Sequence, residues 1–299
     1  MKTNDFVEIS PISSFFTCFI LSLLFVLLLY IWPKISSGKL LILNRNDPIV
    51  IKTRIISTLT ASIIATIIIG ILTNKNQNLS NLIFDWNWNS IIRPVIITIL
   101  LFSGPIGTYF FEPNNYYHSD FKNYFKTKFY LLKYDESYRW QSIRNLLFAP
   151  IIEEYYFRFC LLTILECSNP PFSFSMRLFL SPFFFGICHI HHLIQLIYYH
   201  QLPVTVAIIQ TLLQLIYTTL FGGFVAFIYL KSKCLISCIL IHMFCNWMGV
   251  PDVSELFQRR QMTKFNQAIC RIVYCIGIAM FTLSIYYHNV VLNDQVLQA

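Results

Sequence analysis

The chain has 299 residues, 56% of them hydrophobic and 12% charged, about half the charge of a soluble globular domain, which argues against a soluble fold. The formal net charge of +8 is spread over the segments between apolar runs, so topology and anionic headgroups account for it and nucleic-acid binding is set aside. Nine cysteines, mostly inside apolar runs and without paired spacing, read as small buried apolar residues, not a disulfide framework or a cysteine metal site.

Apolar runs long enough to cross a hydrocarbon core of about 30 Å recur along the whole length. They predict an all-α polytopic membrane bundle, one membrane domain over 1–299, with eight spans near 12–32, 55–73, 91–110, 146–165, 174–197, 203–230, 234–250 and 268–287. Helices are the element expected, because a segment in lipid must satisfy its own backbone polar groups. The first run is longer than a secretory signal's apolar region and lacks a small-residue cleavage site, so it reads as a retained span. Lys34, Lys39, Arg45, Lys52 and Arg54 follow it, whereas only Lys75 follows the second. Lys122 to Arg144 follow the third span, and Arg259, Arg260, Lys264 and Arg271 follow the seventh. The positive-inside rule then places the odd loops in the cytosol and both termini in the lumen. Lys231 and Lys233, before the seventh span, run against this pattern. Asn78-Leu79-Ser80 is a glycosylation sequon in an expected lumenal loop. The aromatic and charged stretch 112–144 resembles an interfacial amphipathic segment or an aromatic belt.

Three constellations break the apolar pattern. In the fourth span, Glu153, Glu154 and Arg158 place three charges at membrane depth, each costing about 2.5–3.5 kcal/mol at a span's centre on insertion scales. Glu154 and Arg158 are four apart, glutamate first, in the favourable order for an ion pair. Glu153 lies about 100° around the helix. A carboxylate outside that pair is suited to accept a proton from water once burial raises its pKa; equally, all three charges serve to lock helices together. The fifth span carries His189, His191 and His192, with His189 and His192 three apart and so neighbours on one helical face. The seventh carries His242 and Asn246, which share a face. As donors they suit an oxyanion; as interhelical hydrogen-bond glue they suit packing. Glue does not require a spare carboxylate, a histidine and two donors together, so the three constellations are expected to form one site.

These residues resemble the type II CaaX prenyl endopeptidases, within the wider family of CaaX proteases and bacteriocin-processing enzymes. The resemblance lies in Glu-Glu-x-x-x-Arg at Glu153 to Arg158, Phe-x-x-x-His at Phe185 to His189 and His-x-x-x-Asn at His242 to Asn246, in that order, with Phe-Cys-Asn-Trp-Met-Gly at 244–249. It covers residues 145–251, which are expected to form the catalytic core. It implies an enzyme that removes the last three residues from proteins whose CaaX cysteine is farnesylated or geranylgeranylated, small GTPases among them. The setting it implies is the endoplasmic reticulum membrane, with lipid around the chain and access from the cytosol. By the same resemblance Glu153, helped by His189, activates water, His242 and Asn246 stabilise the oxyanion, and Glu154 and Arg158 support them. Neither a cofactor nor a metal is expected. A zinc-dependent membrane peptidase is the nearest rival, although the chain has no His-Glu-x-x-His. A nonenzymatic scaffold or transporter using the same buried groups is the second.

Overall fold

The computed structural model describes residues 9–37, 45–72, 87–111, 132–249 and 263–296. The sequon at Asn78 and most of the aromatic stretch, 112–131, lie outside the described residues. The described chain is helical, apart from an isolated bridge between Ile9 and Ser168. Its helices are α1 (Pro11–Ser37), α2 (Pro48–Leu72), α3 (Trp88–Leu101), α4 (Ser103–Phe111), α5 (136–166), α6 (Phe174–Ile187), α7 (His192–Tyr198), α8 (Val204–Ser232), α9 (Leu235–Met248) and α10 (Lys264–Val296). The chain is a multi-pass helical membrane protein. Pro11–Ile31, Pro48–Leu72, Phe174–Tyr198, Val204–Ser232 and Lys264–Tyr286 are each long and apolar enough to cross a bilayer. Trp88–Leu101 and Leu235–Met248 are shorter apolar helices, and α5 is long but carries three charges in its middle.

Helix boundaries differ from the expected spans where side chains interfere with the backbone ladder. The third span is two helices that part at Phe102, whose N–H turns back to the Ile99 carbonyl. Pro105 has no N–H to offer Leu101, so the ladder cannot run through. Lys52 and Arg54, expected in a loop, lie inside α2. α5 alternates α-helical Glu136–Ile143, Ala149–Glu154 and Leu161–Glu166 with π-helical Arg144–Phe148 and Tyr155–Cys160. The first wide turn immediately precedes Pro150 and relieves the clash a proline ring makes with the carbonyl four residues back.

By contacts the chain divides into two compact units, Met1–Asp85 with Trp140–Ile239, and Trp86–Arg139 with Leu240–Ala299. In the first, α5 is held to α1 by polar bonds that suit an apolar surrounding: Tyr156 Oη donates to the Leu21 carbonyl at 2.8 Å and Cys18 Sγ to the Leu161 carbonyl at 3.5 Å. Tyr155 Oη lies 2.7 Å from Thr66 Oγ1 of α2. α6 packs closely on α8 because glycines face the crossing. A Cβ on Gly186 would stand 2.6 Å from Thr219 Oγ1, and one on Gly222 would stand 3.3 Å from the Pro182 Cα. At one end of this unit Glu166 accepts from Arg177 and, at 2.5 Å, from Lys233. Lys231 lies over the Phe174 ring. The two lysines that disturb the charge pattern therefore have local partners, one of them a carboxylate. In the second unit α10 packs on α3 and α4, with Ser103 Oγ donating to the Val273 carbonyl and Phe102 edge-on to Phe244.

Candidate active site

The middle of α5 sets its two glutamates apart. Glu154 is fully buried and accepts from Arg158 Nε at 2.9 Å, with Arg158 equally buried. Arg158 also donates from Nη1 to Ser181 Oγ at 3.0 Å and stacks over the Phe185 ring at 4.9 Å. The guanidinium is thus held by Glu154 on its own helix and by Ser181 and Phe185 on α6, which compensates the cost of removing two charges from water. Glu153, one residue earlier, points elsewhere: it is half-buried and lines an open cavity of the first unit. That cavity, about 840 Å³ with its mouth included, is also lined by His189, His191, His192, Arg45, Arg54 and Arg144.

The histidines reach it through a break in the helix. In an unbroken α6 the Phe185 carbonyl would accept from the N–H of residue 189. Instead His189 Nδ1 donates to it at 2.8 Å, while the His189 N–H turns to Gly186. The device repeats two residues on: His191 Nδ1 donates to the Cys188 carbonyl at 2.5 Å, and the His192 N–H turns to His189. Side chains that compete with the ladder thereby end α6, and α7 starts at His192. The expectation of one continuous helix over 174–197 is corrected on this point. His189 and His192 are nevertheless neighbours, with ring centroids 5.9 Å apart, by way of a tight turn and not a helical face. With Nδ1–H committed to a carbonyl, neutral His189 presents Nε2 as an acceptor.

Gln195, buried below the histidines, bridges to α2. With its amide nitrogen donating to His192 Nδ1 at 3.2 Å, its oxygen accepts from Arg54 Nη1 and Nη2 at 3.3 and 3.0 Å. Cys188 also lines the cavity, but its thiol donates to the Ser22 carbonyl at 3.3 Å and so is not aimed at His189.

Within the first unit, then, the structure brings Glu153 and His189 to one cavity and joins Glu154 to Arg158. His242, buried, and Asn246, exposed, lie one turn apart on the part of α9 that belongs to the second unit. Sequence reasoning missed Arg45, Arg54, Arg144 and Gln195. In the sequence the three arginines stand as loop charges, and the signal that distinguishes Arg54 is its place inside an apolar helix beginning at Pro48. Arg144 anchors this wall, donating to the Arg45 carbonyl at 2.6 Å and to Asn46 Oδ1 at 3.2 Å.

Residues 135–248 match the sequence profile of a family described as type II CAAX prenyl endopeptidase Rce1-like. Over 255 residues the chain is 29% identical to the probable CAAX prenyl protease 2 of Schizosaccharomyces pombe, covering 85% of each protein. It is 28% identical to CAAX prenyl protease 2 of Homo sapiens, over 90% of this chain and 79% of the relative. A shorter match, 37% identical over 118 residues and 38% of each protein, is to CAAX prenyl protease 2 of Saccharomyces cerevisiae. No solved structure matches.

Proposed function

We propose that this chain, whose residues 135–248 match the type II CAAX prenyl endopeptidase Rce1-like profile, removes the C-terminal tripeptide from prenylated CaaX proteins by a glutamate-type mechanism. The observation that carries the reading is the shared cavity of Glu153 and His189, beside a neighbouring glutamate already neutralised by Arg158.

Glu153 takes a proton from water, the hydroxide attacks the carbonyl carbon of the prenylated cysteine, and the developing negative charge moves to the carbonyl oxygen. His189 Nε2 accepts a hydrogen bond from the same water and orients it. His242 and Asn246 are assigned the oxyanion by the family motif they carry; a histidine and an amide are both suitable donors to it. As the C–N bond breaks, the proton held by Glu153 passes to the leaving nitrogen, releasing a tripeptide with a free amine. No nucleophilic serine or cysteine takes part. Glu154 and Arg158 hold α5 against α6 so that Glu153 keeps its place.

A prenyl chain stays in the apolar surroundings while the peptide enters the cavity, which accounts for a peptidase at membrane depth. The substrates are CaaX proteins of the small GTPase type, met at the cytosolic face of the endoplasmic reticulum membrane. The test compares farnesylated with unprenylated CaaX peptide on the purified chain. Release of an intact tripeptide from the farnesylated peptide alone is expected. Equal cleavage of both, or residues released one at a time, would sink the reading.

A further inference from the structure

Three guanidiniums line the cavity that holds Glu153, whereas Glu153 is the carboxylate lining it. Their crowding is felt in the groups outside the membrane-spanning segments. Burial lowers Arg45 while Glu153 raises it, and burial together with the charges of Arg45 and Arg54 brings Arg144 down to about 10. Such an arrangement favours an incoming anion, and a guanidinium fork matches a carboxylate in two-point geometry.

The three differ in what they have left to give. Arg144 spends all three nitrogens on Arg45, Asn46 and Asn145 and so fixes the wall. Arg54 spends both terminal nitrogens on Gln195, but its Nε is buried without a hydrogen-bond partner. Arg45 stands at the turn that Arg144 pins, ahead of α2.

We propose that Arg45 and Arg54, set against Arg144, bind the free α-carboxylate of the substrate's last residue. This rests on the proposed function and explains a property that function requires. An enzyme that cuts three residues from an end must measure from that end, and three extended residues reach about 10 Å. Clamping the carboxylate in the cavity that contains Glu153 brings one peptide bond, and not its neighbours, to the base. The same chemistry would hold a lipid phosphate, but an anion bound beside Glu153 is best supplied by the peptide being cut.

The experiment uses the purified full chain and a farnesylated CaaX peptide in two forms, free acid and C-terminal amide. Wild-type enzyme is expected to favour the acid by about tenfold to a hundredfold in kcat/KM, mainly through KM, as befits hydrogen bonds to a charged group. Arg45→Gln and Arg54→Gln are expected to collapse that ratio toward one, with Arg45→Lys keeping part of it. Because the ratio is taken within one protein preparation, a poorly folded fraction cancels. If wild-type enzyme cuts acid and amide equally, the carboxylate clamp is wrong while the peptidase reading stands. If the arginine variants lower both substrates alike, in a manner set by anionic lipid in the vesicles, the arginines hold lipid and the proposal is overturned. If wild-type enzyme cuts no prenylated peptide, the proposed function fails first and the clamp falls with it.

Discussion

Glu153 and Glu154 are adjacent glutamates for which opposite phenotypes are expected, and the stability half of that contrast can be worked from the structure. Glu154→Leu leaves Arg158 with no carboxylate in a fully buried position. Its Nη2 already lacks a hydrogen-bond partner, so losing the 2.9 Å bond at Nε orphans a second nitrogen and leaves Ser181 as the remaining hydrogen-bond acceptor. Removing one member of a buried pair costs about 3–5 kcal/mol, a large part of a total stability of about 5–15 kcal/mol. Replacing both partners, in Glu154→Leu/Arg158→Met, removes the uncompensated charge and is expected to return stability to within about 1 kcal/mol of wild type. Equilibrium unfolding of the detergent-purified variants measures both. A single variant that loses less than about 1 kcal/mol, or a double variant as unstable as the single one, would show that the guanidinium is hydrated and the pair does not hold the middle of α5.

Asn246→Ala is expected to lower kcat by about 10²- to 10³-fold with little change in KM, the mark of a donor used only in the transition state; a pure KM effect would remove it from the oxyanion. Prolonged chelation by EDTA and phenanthroline is expected to leave the cleavage rate unchanged, whereas loss restored by added zinc would contradict the metal-free mechanism. Gly186→Ala brings a Cβ to 2.6 Å from Thr219 Oγ1 and is expected to destabilise by about 1–3 kcal/mol, since a β-branched neighbour has little freedom to yield. Unfolding of Gly186→Ala/Thr219→Ala checks the cause, because removing the hydroxyl should recover part of the loss.

The helical bundle was legible because its signal is collective: each run of apolar residues admits no other element in lipid. The Glu154–Arg158 pair was legible for the same kind of reason, being a local, helical spacing. What the spacing did not carry were departures from regular helix. The π-helical turn ahead of Pro150, the end of α6 at His189 and the parting of α3 from α4 depend on a proline ring or its missing N–H, or on an imidazole taking a backbone acceptor. Those are contests between nearly equal hydrogen bonds, and periodicity does not report them. The arginines were visible as charges but not as a cluster, because Arg144 comes from a segment far along the chain from Arg45 and Arg54 and meets them only at the cavity. Long-range convergence of that kind has no signature in a single stretch of sequence.

The central claim, that Glu153 is the base, is tested most directly by the initial rate of tripeptide release from a farnesylated CaaX peptide by purified Glu153→Gln. Glutamine keeps the shape and the hydrogen-bonding capacity of the side chain but cannot accept the proton from water. A loss of about 10²- to 10⁴-fold in kcat is expected, with unfolding stability within about 1 kcal/mol of wild type. Cleavage at the wild-type rate by a folded Glu153→Gln enzyme would contradict it.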